Sequence, residues 1–125
     1  MPWSFQADTP IYTQLVARLQ EQIVSGAYPP GSKLPSVRDL AADAGVNPNT
    51  VQRAFAELER LGLIYTQRTS GTFVTEDAAA IDAARRALAE GQTRQYLAAM
   101  SALGFDRAAL ITFLNQMEET KDANS

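Results

Sequence analysis

The chain has 125 residues, 46% hydrophobic and 20% charged, which fits one folded domain or a small domain with a helical appendage. It contains no cysteine and no histidine, which removes disulfides, thiolate nucleophiles, Cys/His zinc sites and imidazole acid-base catalysis, so no catalytic residue, metal or cofactor is expected. The net charge of −3 is uneven: residues 1–75 hold six Lys/Arg against six Asp/Glu, and residues 76–125 hold five against eight. The acidic excess therefore lies in the C-terminal part, and a basic surface in the first part requires Arg38, Arg53 and Arg68 to gather on one side. No apolar run approaches the roughly 18 residues of a membrane span, and the first nine residues lack the basic start and apolar stretch of a secretory signal. A cytoplasmic protein with no membrane partner is expected.

In chain order, Thr9-Pro10 offers a cap and a first helical position, and Tyr12, Leu15, Val16, Leu19 and Ile23 then recur at helical spacing until Gly26. After the rigid Tyr28-Pro29-Pro30-Gly31, Ser36 followed three residues later by Asp39 forms a capping box, with Val37, Leu40, Ala41 and Ala44 on one face of a short second helix. Gly45-Val46-Asn47 is a tight turn, Asn47 a cap, and Pro48 the first position of a third helix reaching about Leu61. Its buried stripe is Val51, Ala54, Phe55 and Leu58. Leu63–Gln67 and Thr72–Val74 read as strands of a hairpin around Arg68-Thr69-Ser70-Gly71.

From Thr75, a further cap, the composition turns alanine-rich and acidic, and a fourth helix is expected with Gly91 as a kink or break. Leu103-Gly104-Phe105 makes a turn, and Asp106 caps a last helix. The apolar positions of this tail are Ile81, Leu88, Tyr96, Leu97, Met100, Leu103, Leu110, Phe113, Leu114 and Met117. The expected fold is mainly α with a small β-hairpin: a winged helix-turn-helix over 9–75 and a two-helix dimerisation tail over 76–120. Two short amphipathic helices do not bury both apolar faces alone, which points to a homodimer. A tail folded back on its own head in a monomer is the alternative.

Two short helices across a tight turn place the start of the second in a position to enter the DNA major groove. Asn49, Thr50, Gln52 and Arg53 have the chemistry for this: Asn and Gln pair with adenine edges, Arg with guanine, and Thr with phosphate or a thymine methyl. Arg38, misplaced at the positive end of helix two, suits an anionic partner such as phosphate, with a local salt bridge as the alternative. At the hairpin tip, Arg68 offers a cation and Gly71 a bare backbone. The competing reading is a winged-helix module that binds protein through helix three, which its polar outer face disfavours.

The stretch Tyr28-Pro29-Pro30-Gly31-Ser32-Lys33-Leu34-Pro35-Ser36-Val37-Arg38-Asp39-Leu40-Ala41, with Gly45-Val46-Asn47-Pro48-Asn49-Thr50-Val51, Leu58, Gly62-Leu63-Ile64 and Gly71-Thr72-Phe73-Val74, closely resembles the GntR family of bacterial transcription regulators. The resemblance implies a transcriptional regulator, by family tendency a repressor, binding a double-stranded, pseudo-palindromic operator. It implies DNA contacts by Arg38, Asn49, Thr50, Gln52, Arg53 and Gly71. Pro48 stands where some relatives carry a DNA-reaching arginine, so one such contact is missing. A tail this short is similar to that of the YtrA subfamily, whose members dimerise through it and often control transporter genes. A small-molecule effector between the tail helices is left open, since no charged cluster or motif points to one.

Overall fold

The computed structural model describes the backbone of residues 3–124 and the side-chain environments of residues 3–117. Among the described residues five helices and one hairpin follow in the order α1 (Ile11–Val24), α2 (Val37–Ala44), α3 (Pro48–Arg60), β1 (Ile64–Gln67), β2 (Gly71–Val74), α4 (Ala78–Ala102) and α5 (Arg107–Asn124). They form two compact units that divide after Arg86. The first unit thus takes in the opening turns of α4, beyond the boundary at residue 75 that the composition shift suggested.

The helix starts show how local chemistry fixes this order. The Ser36 hydroxyl accepts a hydrogen bond from the Asp39 N–H at 3.1 Å, and the Asn47 side chain accepts from the Asn49 N–H at 2.8 Å, so both helices of the central pair begin on a satisfied cap. Between them Gly45 closes α2 in the left-handed conformation, φ 71°, where a β-carbon is disfavoured.

Two expected caps are replaced. Pro10, not Thr9, occupies the cap of α1, which has no side-chain cap bond. The Gln14 amide instead ties down the segment before the helix, donating to the Thr9 and Gln6 carbonyls at 2.8 Å and accepting from the Gln6 N–H at 2.7 Å. Helix α4 starts at Ala78 rather than near Thr75, which stays with the hairpin, its N–H donating to the Leu63 carbonyl at 2.9 Å and its hydroxyl accepting from the Asp77 N–H at 3.1 Å. Asp77 supplies the cap instead, accepting from Ala79 and Ala80.

Gly91 neither breaks nor ends α4. A single glycine costs a helix interior about 1 kcal/mol, and the Glu90–Arg94 ion pair at 3.3 Å bridges the position at the favourable i,i+4 spacing.

The core of the first unit is one cluster. Leu15, Leu19 and Ile23 of α1 meet Leu40 and Ala41 of α2, the α3 stripe Val51, Ala54, Phe55 and Leu58, and Leu34, Leu63, Ile64 and Val74 around the hairpin. The α3 stripe is the one its helical spacing predicts. Ile81, expected among the dimerisation residues, is instead sealed into this cluster at 5% exposure. Its place in the first two turns of α4 puts it among head residues. Arg85 reinforces the join: its Nη2 donates to the Val24 carbonyl at 3.0 Å, satisfying an orphan group at the end of α1.

In the second unit Gly104 turns the chain, with the Phe105 N–H donating to the Met100 carbonyl at 3.0 Å, and the Asp106 carboxylate caps α5 through the Ala109 N–H at 2.8 Å. The Phe105 and Phe113 rings meet at 5.2 Å. Among the described residues no single helix is long and apolar enough to cross a membrane.

Candidate nucleic-acid interface

The pair α2–α3, joined by the Gly45-Val46-Asn47 turn, buries its apolar faces in the core and leaves the start of α3 outside. Asn49, Gln52 and Arg53 are exposed there, and Thr50 is half-buried. Asn49, Thr50 and Arg53 line a concavity completed by Pro10, Ile11 and Tyr12 from the start of α1. The Arg53 guanidinium lies over the Tyr12 ring, 3.8 Å from its centre, in a close cation–π contact. Gln52 is exposed but is not part of that concavity.

Arg38 is exposed in the first turn of α2. Among the described residues no ion pair engages Arg38, Arg53 or Arg68, whereas Arg60, Arg85 and Arg94 are held by Glu57, Asp82 and Glu90. The local salt bridge considered for Arg38 is therefore not formed. Arg60, at the far end of α3, is bound by Glu57, whose carboxyl is held below the usual range by the hydrogen bond from that guanidinium.

The hairpin is antiparallel, pairing Ile64 with Val74, Tyr65 with Phe73, Thr66 with Thr72 and Gln67 with Gly71. Tyr65 and Phe73 stack at 5.7 Å across the strands, stiffening a ribbon of only two short strands. Arg68 is exposed in the turn, and Gly71 opens the return strand with φ 117°. Tyr12 was legible only as an apolar position of helix one. Its contact with Arg53 joins residues far apart in the sequence, and helical spacing carries no sign of it.

The expected tail residues divide differently. Tyr96, Leu97, Leu103, Phe113, Leu114 and Met117 are exposed, Leu103 the most at 69%, and Leu88 and Met100 are half-buried. Leu110 is buried at 4% within the tail, and Ile111, which the apolar pattern did not single out, is exposed.

Three helices, a two-stranded wing and a polar, outward-facing start of α3 define a winged helix-turn-helix protein of the DNA-binding type. The family described as bacterial regulatory proteins, gntR family, matches residues 11–74, from the first residue of α1 to the last of the wing. The chain belongs to this GntR family, whose members are DNA-binding transcription regulators and not enzymes. It is 36% identical over 115 residues to YhcF of Bacillus subtilis (strain 168), an uncharacterized HTH-type transcriptional regulator, covering 92% of this chain and 95% of YhcF. It is 48% identical over 73 residues to the HTH-type transcriptional repressor YtrA of the same organism, covering 58% of this chain and 56% of YtrA.

Among solved structures, a GntR family transcriptional regulator from Listeria monocytogenes superposes with a TM-score of 0.82 at 40% identity, covering 90% of this chain and 98% of that one. The DNA-binding domain of AraR, in complex with operator ORX1, superposes with a TM-score of 0.55 at 28% identity over 60% of this chain and 99% of that domain. The YhcF and Listeria matches run through both units, so the short helical tail belongs to the shared architecture.

Proposed function

We propose that the chain is a homodimeric transcriptional repressor that reads a pseudo-palindromic operator. Asn49, Thr50, Gln52 and Arg53 enter the major groove, Arg38 meets a flanking phosphate, and Arg68 and Gly71 bring the wing against the neighbouring backbone. The observation that carries the reading is the start of α3: a capped helix end presenting Asn, Thr, Gln and an arginine without an acidic partner. The operator-bound AraR domain, similar over the winged-helix part, supports DNA as the partner. The repressor YtrA, similar over the same part, supports the direction of control. Transporter genes as the target rest on the resemblance to YtrA-type regulators alone.

Dimerisation is supported by the poverty of the tail core. Among the described residues after Arg86, Leu110 is the only buried hydrophobic side chain, while seven large apolar side chains stay exposed. So small a unit lacks the burial to offset its ordering entropy. A second copy, offering the same apolar face about a two-fold axis, supplies it.

The test is selection of bound fragments from the source genome, followed by gel shifts with Arg38→Ala and Arg53→Ala. An inverted repeat with half-sites about one helical turn apart, upstream of transporter genes, is the expected outcome. Unchanged binding by both variants would overturn the site assignment, and selection of fragments without a shared repeat would overturn the operator reading.

A further inference from the structure

Lys33 has no part in the reading above, yet the structure ties it to the wing. Residues 31–34 run beside β2: the Leu34 N–H donates to the Thr72 carbonyl at 2.8 Å, the Val74 N–H to the Ser32 carbonyl at 2.9 Å, and Lys33 forms an antiparallel bridge with Phe73. The wing thus has a third, short edge on the side of β2 away from β1. From that edge the Lys33 side chain crosses the open face of Gly71. A β-carbon placed on Gly71 would stand 2.7 Å from Lys33 Cε and 3.5 Å from Nζ, and the first of these is closer than such atoms approach. The Lys33 stem therefore runs past the α-carbon of Gly71, and it is the φ of 117° that calls for glycine there, since the far end of the lysine could swing aside.

This arrangement has an electrostatic consequence. A lysine ammonium on a free stem samples many rotamers, and ordering it at a contact costs up to about 2 kcal/mol in side-chain entropy. A stem laid over the hairpin has part of that freedom removed before any partner arrives. Lys33 is exposed, and among the described residues no ion pair engages it. We propose that Lys33, seated across Gly71, is a phosphate-contacting cation of the wing, acting with Arg68 to hold the wing edge on the DNA backbone. The proposal rests on the winged helix being the DNA-binding face. Because an ammonium is a point charge without the planar fork of arginine, its contribution is independent of sequence.

The experiment is fluorescence anisotropy of the full chain on a labelled mixed-sequence duplex over a series of KCl concentrations, with Lys33→Gln, Lys33→Arg, Arg38→Ala and Arg53→Ala. Loss of one phosphate contact per protomer lowers the slope of log K against log salt by about 0.9 for each protomer bound, and weakens binding about fivefold per protomer near physiological salt. Lys33→Gln is expected to show this, with Lys33→Arg restoring the slope. On a selected genomic fragment Lys33→Gln is expected to lose the same factor, leaving the preference over mixed sequence unchanged. A parent slope in Lys33→Gln, while Arg38→Ala and Arg53→Ala lose affinity, overturns the role of Lys33 alone. Parent affinity in all three overturns the DNA-binding face on which it rests.

Discussion

The Arg53 guanidinium carbon stands 3.8 Å above the centre of the Tyr12 ring, so a side chain offered by the third helix is held by the first. A cation over an aromatic face at an exposed site gains about 0.5–1 kcal/mol, and more once DNA excludes water. Tyr12→Ala is expected to raise Kd for operator DNA by roughly fivefold, about 1 kcal/mol, while Tyr12→Phe keeps the ring and the affinity. In a double-mutant cycle with Arg53→Ala the two losses should fall short of adding, since both remove one contact. Strict additivity would show that the ring has no part in presenting the arginine.

The caps of the central helix pair give a second expectation, read as stability. Asn47→Ala removes the acceptor for the Asn49 N–H, and Ser36→Ala removes that for the Asp39 N–H. Each is expected to cost about 1 kcal/mol, lowering Tm by roughly 4–8 °C in a domain of this size. Asn47→Ala should also weaken DNA binding beyond its effect on Tm, because the first turn it fastens carries Asn49 and Thr50. Thermal melts followed by circular dichroism, beside gel shifts at a temperature where all variants are folded, separate the two effects.

Most of the head was legible because its signals are local. Ser36, Gly45, Asn47 and Pro48 act within a few residues of themselves, and the stripe Val51, Ala54, Phe55 and Leu58 follows from helical period alone. The corrections concern competition at a distance. Thr75 stays with the hairpin, its N–H on the Leu63 carbonyl, and Asp77 two residues on caps α4. Pro10 takes the cap position expected of Thr9, and the long Gln14 amide reaches back to three backbone groups of the segment before the helix. Ile81 sits in an apolar pattern that continues down the tail, and only the packed structure shows that its first turns belong to the head. The site divides in the same way: residue types at the start of α3 announce their chemistry, whereas Tyr12 and Lys33 gain theirs from neighbours brought in by the fold.

Tyr28 leads to a pH dependence. Burial first, and then the nearby Asp43 carboxylate, hold its phenol above the ordinary value of 10.0. The folded state then keeps the proton more tightly than the unfolded chain. The resulting stability is fully present below the unfolded value and is lost as pH rises through the folded one. Urea midpoints measured from pH 8 upward should fall more steeply for the parent than for Tyr28→Phe, which has no proton to lose. Parallel declines would remove Tyr28 as the cause.

Leu58 is fully buried at the centre of the head, on the inner face of the helix whose outer face carries Arg53. Leu58→Ala is expected to cost about 2–5 kcal/mol, a large share of the stability of a small domain, and to abolish DNA binding at 37 °C through unfolding. Arg53→Ala should weaken specific binding strongly while lowering Tm by only a few degrees, the share of its contact with Tyr12. The contrast, read by melts and anisotropy on the same samples, separates the face that builds the helix from the face that uses it.

The tail gives the last expectation, because its exposed apolar side chains bear on assembly and not on the head. Tyr96, Leu97, Ile111 and Leu114 line a shallow groove around buried Leu110. Introducing a carboxylate at both Leu97 and Leu114 obliges a paired tail to bury charges without partners, at several kcal/mol per charge. Leu97→Glu/Leu114→Glu should therefore sediment as a monomer where the parent sediments as a dimer. The monomer keeps its head, so its hairpin and three-helix core should melt with little change. On an operator with two half-sites it loses the gain from linked binding, on the order of a hundredfold or more in affinity, while on a single half-site it should bind nearly as the parent does. If the double variant remains a dimer, the groove is not the interface. If it is a monomer with full operator affinity, one head alone reads the site, and the two-fold reading fails.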